Sequence, residues 1–459
     1  MSAQRILTAG WCALALAMAS AAMAAEGNGA AAAPVPQPAV MAPTPMPAEN
    51  SLGLSAAPAQ NCDDDCDFCG TAFCGPPGRF WVRGDYVYWY SSGMNLPALV
   101  TTGPQNVGLI ADTDPAGSLG RSDTTVLFGN NIANLEGRSG FRISTGFWFD
   151  ACHTLGIEGD YLDLGPLSTK FRAASDANGS PVLTRPYYDV QNAREWRQLV
   201  SYPGTLSGSV SVDANEYFNS AGVALRKNCC CCAGCNDCGP SDPCGSGGGG
   251  CEGGWLGNGC RLDLLAGYRY YGLNDDVTIR EDLLALTAPI AGTRIRVTDT
   301  FRARNEFHGG ELGLSGEVYR GRVSLNLTMK AAIGNNRKTV VIGGQTITSN
   351  AQGQSITQDA GVYAVRTNIG TYTRSEFTVI PQIGLEAGFM ITPNWRAFTG
   401  YNLIYWAAVQ RAGDAIDLNV DPRNIPGGVQ DPATHFPQFK FCGSSFWAQG
   451  ISSGLEYRF

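Results

Sequence analysis

Read two residues at a time, this chain repeatedly sets apolar side chains on one face and charged or small ones on the other, the period of a β-strand. Phe80, Val82, Tyr86, Tyr88 and Tyr90 form one face, opposed by Arg83 and Asp85. Phe141, Ile143, Phe147 and Phe149 oppose Arg142, and Leu155, Ile157 and Tyr161 oppose Glu158 and Asp160. A weaker stretch carries Tyr217, Ala221, Val223 and Leu225. Leu262, Leu264, Ala266, Tyr268 and Tyr270 oppose Arg261, Asp263 and Arg269, and Leu312, Leu314 and Val318 oppose Glu311 and Glu317. Val323 to Ile333 oppose Lys330, Phe377 to Ile391 oppose Glu386, and Trp395 to Tyr405 oppose Arg396. The last stretch, Trp447 to Phe459, alternates to the final residue and adds Glu456 and Arg458 to the charged set.

These stretches predict ten strands, an even number that lets an antiparallel sheet close on itself with both ends of the chain on one side. The connections after the second, sixth and eighth are short, at Ala151–Thr154, Arg320–Gly321 and Thr392–Asn394. Those after the odd strands are long, at roughly 91–139, 165–215, 273–305, 335–375 and 407–445. Short turns on one side and long loops on the other are expected of an all-β, transmembrane, antiparallel up-and-down β-barrel with long external loops. The β-rich loop stretches 206–213, 277–283, 294–302 and 338–347 could add hairpins, giving a range of ten to fourteen strands. A connection at 227–259 breaks the pattern as a long insert on the short-turn side.

Two resemblances follow from particular residues. The ending Ser453-Gly454-Leu455-Glu456-Tyr457-Arg458-Phe459 resembles the assembly signal of bacterial outer-membrane barrels, with Gly454, Tyr457 and Phe459 at the positions that carry it. Tyr88-Trp89-Tyr90, Leu96-Pro97-Ala98-Leu99-Val100-Thr101-Thr102, Thr125-Val126-Leu127-Phe128-Gly129 and Pro181-Val182-Leu183-Thr184-Arg185-Pro186 resemble a planctomycete-type outer-membrane family of beta-barrel porins. Leu264 to Tyr270, Asn368-Ile369-Gly370, and Gly400-Tyr401-Asn402 through Arg411 to Asp417 continue the likeness, which covers about residues 80–459. It implies an outer-membrane location and no catalytic residues.

Composition agrees with a lipid-facing barrel. Charged residues are 16% of the 459, against about 25% in typical soluble domains, while 58 Gly, 19 Phe, 17 Tyr and 9 Trp suit short strands with aromatic belts. The net charge of −8 gives no basic surface for nucleic acid. Residues 1–24 read as a secretory signal peptide, with Arg5, an apolar run to about Ala22 and an Ala22-Met23-Ala24 exit. Residues 25–61 are Ala/Pro-rich and predict an extended tether that buries no core. A Cys-rich segment at 62–78 leads into the barrel at 79–459.

The cysteines carry a second pattern. Cys62, Cys66, Cys69 and Cys74, then Cys152, then Cys229, Cys230, Cys231, Cys232, Cys235, Cys238, Cys244, Cys251 and Cys260 all fall on the short-turn side, an even fourteen, and Cys442 is left alone in an external loop. In an oxidising compartment they are disulfide candidates that would staple a platform at the foot of the barrel. The Cys232-x2-Cys235-x2-Cys238 spacing also permits a soft-metal knot.

Candidate chemistry is otherwise confined to the inward charges. Arg83, Asp85, Arg142, Glu158, Asp160, Arg261, Asp263, Arg269, Glu317, Lys330, Glu386 and Arg396 are expected to face the lumen, with Glu311, Glu456 and Arg458 beside them. At ten strands they are expected to pack as paired ions, because general-diffusion lumens appear at about sixteen strands. A wider barrel would use them to line a pore. Gly450-Ile451-Ser452-Ser453-Gly454 matches a nucleophile-elbow pattern but lies within a strand and leads into no helix. His308, between Glu306 and Glu311, permits an acid–base site, and a rim or outward position is the alternative. The expectations are therefore a porin-like passive channel for small hydrophilic solutes, then a structural envelope protein with a plugged lumen, and last a barrel hydrolase. No catalytic residue, metal or cofactor is assigned. The expected partners are outer-membrane lipid, the barrel-assembly machinery and a cell-wall or periplasmic partner reached through the tether.

Overall fold

The computed structural model describes residues 78–105, 115–151, 153–233, 258–428 and 433–459. The chain divides into two compact units, Met1–Asp64 and Asp65–Phe459, and every described residue belongs to the second. The signal peptide, the tether and the Cys62–Cys74 cluster lie outside the described residues, as do Cys152, Cys235, Cys238, Cys244 and Cys251.

Ten antiparallel strands form the wall: β1 (Phe80–Ser91), β2 (Arg138–Trp148), β3 (Leu155–Ala174), β4 (Leu206–Ala233), β5 (Asn258–Ala285), β6 (Arg294–Arg320), β7 (Val323–Ser349), β8 (Gly370–Met390), β9 (Trp395–Val409) and β10 (Ser444–Arg458). Each pairs with its sequence neighbour, and β10 closes the ring on β1 with Trp81 opposite Arg458 and Ser91 opposite Ala448. Closure leaves no wall strand as a free edge, the condition for crossing lipid with strands. At the seam Phe459 packs against Phe80 and Tyr457, with ring centroids 5.2 and 4.6 Å apart, and Tyr457 meets Trp395 at 4.8 Å. A side chain at Gly454 would collide with the Gly84 carbonyl and the Phe398 ring, so that glycine has a packing role in the wall.

The outward face changes character along each long strand. On β7, Val323, Leu325, Leu327, Met329 and Ile333 are exposed, and on β6 so are Leu312, Leu314 and Val318. Higher up, the outward positions of β5 and β6 become Arg280, Arg294, Arg296, Arg302 and Arg304, paired with Asp213, Asp282, Asp276 and Glu306. The apolar positions mark the membrane-spanning segments, which end near Tyr270 on β5 and His308 on β6, and the charged positions stand above the bilayer.

This corrects the expected loops. Most of 273–305 and 335–375, and parts of 165–215, are strand, and 206–213, 277–283, 294–302 and 338–347 extend β4, β5, β6 and β7 instead of forming extra hairpins. The connection from β5 to β6 shrinks to 286–293. The physical reason is that these extensions bury their inner face on a cap while their outer face meets water, so the lipid-facing signature ends before the strand does.

The cap is built from the remaining external connections. Met94–Leu96 pairs with Asn131–Ala133, and Val100–Thr102 pairs with Thr125–Phe128 and Leu183–Asp189. Leu183–Asp189 also pairs with Arg194–Ser201 and, in parallel, with Asn419–Val420. Their core includes Leu99, Val100, Leu183, Tyr187 and Tyr363, packed on Val210, Val212, Val277, Ile279, Phe301 and Val340 of the wall.

The filled lumen as candidate functional site

Three layers occupy the interior. In the lowest, ions from strands far apart in the ring meet. Arg83 on β1 pairs with Asp85 at 3.0 Å and with Glu386 on β8, and Arg142 on β2 reaches the same Asp85. Lys330 on β7 lies 3.3 Å from Glu158 on β3 and 3.3 Å from Glu311 on β6. Arg269 holds Asp160 and Glu311, each at 2.6 Å. Arg396 contacts Glu386 at 2.9 Å, Glu456 at 3.4 Å and Glu317 at 3.5 Å, and Arg261 holds Asp263 at 2.8 Å. All twelve residues singled out from the sequence as lumen-facing thus sit within this network, together with Glu311, Glu456 and Arg458.

Glycines make room for two of the hubs: a Cβ at Gly222 would strike the Arg269 guanidinium, and one at Gly388 would strike Arg396. Sequence reasoning missed Arg226, which links Glu158 at 3.0 Å to Asp263 at 2.7 Å. Its signal was available, because Val223 and Leu225 face outward and the even positions of β4 must then face in. Between the ions remain a cavity of about 140 Å³ beside Arg142, Asp160 and Lys330 and one of about 70 Å³ beside Trp148, Arg261 and Glu456.

Above the ions lies an apolar seal of Val87, Trp89, Leu162, Leu164, Phe218, Tyr271, Leu273, Phe307, Ile380, Ile404, Trp406 and Phe446, none more than 3% exposed. The rings meet across the bore. Phe218 on β4 stacks on Phe446 on β10 with centroids 4.9 Å apart, and Tyr271 on β5 lies 6.0 Å from Trp406 on β9. The Tyr271 hydroxyl donates to Gln382 Oε1 on β8 at 3.2 Å.

A second set of ions covers the seal. Arg138 pairs with Glu216 at 2.8 Å, Arg411 holds Asp275 at 2.5 Å and also Glu216, and the Ser91 hydroxyl donates to Glu216 at 2.6 Å. Higher still, Arg185 of the cap sits between Glu281 of β5 at 2.6 Å and Asp299 of β6 at 2.7 Å. Burial alone would lower the Arg185 pKa, but the two carboxylates hold it above its ordinary value. Asp299 also accepts the backbone N–H groups of Val362, Tyr363 and Ala364, tying the β7–β8 connection into the same lock.

The other candidate residues fall elsewhere. His308 is exposed on the outer face, its Nδ1 2.5 Å from the Tyr268 hydroxyl, whereas Glu311 faces the lumen, so the two make no acid–base pair. Cys229 and Cys260 are free thiols, as is Cys442. Cys229 falls in the register shift between Asn228 and Cys230 and opposes no cysteine, whereas Cys260 lies opposite Cys232. Cys230, Cys231 and Cys232 belong to β4, but their side chains lie outside the described set. Among the described residues no group of His, Cys, Asp or Glu could hold a metal ion.

A closed antiparallel ring with an apolar outer band and ions inside defines an outer-membrane β-barrel. The chain belongs to the family described as Putative beta barrel porin-7, whose model matches residues 81–459. No curated protein matches its sequence. Among solved structures it is similar to the outer membrane protease OmpT from Escherichia coli, at 10% identity and a TM-score of 0.35, covering 83% of this chain and 97% of that one. It is also similar to the Pseudomonas putida toluene transporter TodX, at 9% identity and a TM-score of 0.20, covering 84% and 92%. A Pseudomonas aeruginosa FadL homologue matches at 9% identity and a TM-score of 0.18, covering 83% and 90%.

Proposed function

We propose that this barrel serves as a sealed structural element of the outer membrane and not as a passive channel. The observation that carries the reading is the aromatic layer: Phe218 and Phe446 stack from strands four places apart in the ring, and Tyr271, Phe307 and Trp406 fill the space beside them. A hydrophilic solute would have to displace close-packed rings and then separate paired ions, each step costing several kcal/mol. A diffusion pore for small hydrophilic solutes needs a continuous aqueous path, which this layer opposes. In this reading the partners are outer-membrane lipid around the apolar band, the barrel-assembly machinery during insertion, and a cell-wall or periplasmic partner reached through the segment before β1. No catalytic group is assigned.

Planar-bilayer recording tests it. The purified wild-type chain is expected to give no single-channel steps, and a Phe218→Ala, Phe446→Ala double variant to give brief, small ones. Regular steps from the wild type would restore the channel reading.

A further inference from the structure

Above the bilayer the outer face of the wall carries an excess of one sign. On β6 it presents Arg294, Arg296, Arg302 and Arg304, with Arg280 beside them on β5 and Arg337 on β7, all exposed. Lys170 and Arg172 continue the same face on β3. The carboxylates set among them are Asp213, Asp276, Asp282 and Glu306, half as many. The chain as a whole runs the other way, with 32 Lys and Arg against 40 Asp and Glu. A surface that only had to meet water would mix the two signs evenly.

The existing ion pairs leave the cations available. Arg302 and Arg304 each hold a carboxylate at 2.8 Å, yet their side chains are 66% and 59% exposed. A guanidinium has five N–H donors, and one carboxylate uses only part of that fork. Height then narrows the partner. Tyr270, His308, Asn335 and Phe377 share one level of the wall, at the upper edge of the apolar band. Arg337 stands two residues above Asn335, and Arg304 stands four above His308. At about 3.3 Å per residue and a tilt of about 40°, they lie about 5 and 10 Å above that edge. Headgroups occupy that depth, since the hydrocarbon core fills only about 30 Å of a bilayer about 40–45 Å thick. Glu306 is directly opposite Arg337 and also holds Arg304, so two guanidiniums flank one carboxylate there.

We propose that Arg304 and Arg337 form a binding site for the phosphate of an anionic lipid in the outer leaflet. The phosphate accepts from both guanidiniums, with Arg302 next above, and the acyl chains run down over the exposed Ile333, Leu312 and Leu314. The site rests on the membrane placement of the wall and is independent of whether the bore conducts. A conducting wild type would therefore overturn the sealed reading and leave this one standing.

The test titrates the full chain, in uncharged detergent, with fluorescently labelled phosphatidic acid or phosphatidylcholine and reads bound lipid by anisotropy. The wild type should prefer phosphatidic acid by at least about tenfold, and the preference should shrink as salt rises. Unlabelled phosphatidic acid should displace the probe, whereas inorganic phosphate at the same concentration should not. The double variant Arg304→Gln, Arg337→Gln should lose at least about tenfold in affinity, at about fivefold per arginine. Arg366→Gln, Lys440→Gln removes the same charge from exposed positions of the cap and should change affinity less than about twofold. Equal binding of the two lipids by the wild type overturns the proposal, and that comparison needs no variant to fold. So do displacement by inorganic phosphate, which would mark a free-anion site, and equal losses in the two double variants, which would mark diffuse attraction.

Discussion

The lower lumen and the outer cap close the same bore by different means. Within the membrane the inward side chains are long, and Arg83, Arg269, Lys330, Arg396 and their carboxylate partners span the ring from the wall alone. Above the membrane many inward residues of β4, β5 and β6 are short or branched, among them Val210, Val212, Ala214, Val277, Ile279 and Ala303. Such side chains cannot meet across the ring, so the external connections enter and supply the missing volume. Filling by ions makes the wall its own core. Filling by loops makes the cap a separate core, pinned to the wall at a few points such as Arg185 and Arg411.

The sharpest way to break that contrast is to remove a hub of the lower network. Arg269→Met removes the ion-pair partner of Asp160 and leaves Glu311, which is deeply buried, paired with Lys330. Losing one partner of a buried ion group costs about 3–5 kcal/mol, and here the loss falls on the wall itself. Urea titration in detergent, followed by tryptophan fluorescence, should show the whole transition moving to lower denaturant. A shift worth less than about 1 kcal/mol would mean that water in the cavity beside Asp160 already screens the network.

How much of this was legible in the sequence follows from the same division. The ten strands could be read because apolar outward and polar inward positions alternate along Val82–Tyr86 or Val323–Lys330. The strand extensions could not, because outside the lipid an outward Arg302 or Arg280 looks like loop. The aromatic seal was hidden for a different reason. Trp89, Tyr271 and Trp406 sit next in sequence to outward Tyr88, Tyr270 and Tyr405, and a run of aromatics reads as a membrane belt whichever way each ring turns. The ions over the seal join Arg138, Glu216, Asp275 and Arg411, residues far apart in sequence whose pairing depends on a connection folding into the barrel, and no local period encodes that.

In the cap, a smaller and more local loss is expected from Arg185→Met. Glu281 and Asp299 lose their only ion-pair partner among the described residues, but Asp299 keeps three backbone N–H donors. Burial raises the pKa of Glu281, on the part of β5 above the membrane, and without Arg185 its carboxyl gains further from holding a proton. The folded chain then binds that proton more readily than the unfolded one, so the variant should recover stability as pH falls through the raised pKa. A cost of about 2–3 kcal/mol at neutral pH is expected, confined to the cap. Hydrogen exchange should quicken at Val362–Ala364 while β1 and β10 stay protected. Uniform loss of protection would show that cap and wall are one cooperative unit.

The smallest effect should come from the outer face of the same strands. Arg302 meets Asp276 at 2.8 Å, the distance at which Arg138 meets Glu216, yet the Arg302 side chain is 66% exposed where that of Arg138 is 3% exposed. The separation is the same and the exposure is not. In water the attraction is screened, and holding two long side chains in one arrangement costs entropy, so Arg302→Ala should change stability by no more than about 0.5 kcal/mol. Raising salt should erase even that difference, whereas the loss from Arg138→Met should persist at high salt because its surroundings admit no ions. Equal salt sensitivity in the two variants would mean that water and ions reach Glu216, and with it the upper side of the aromatic seal.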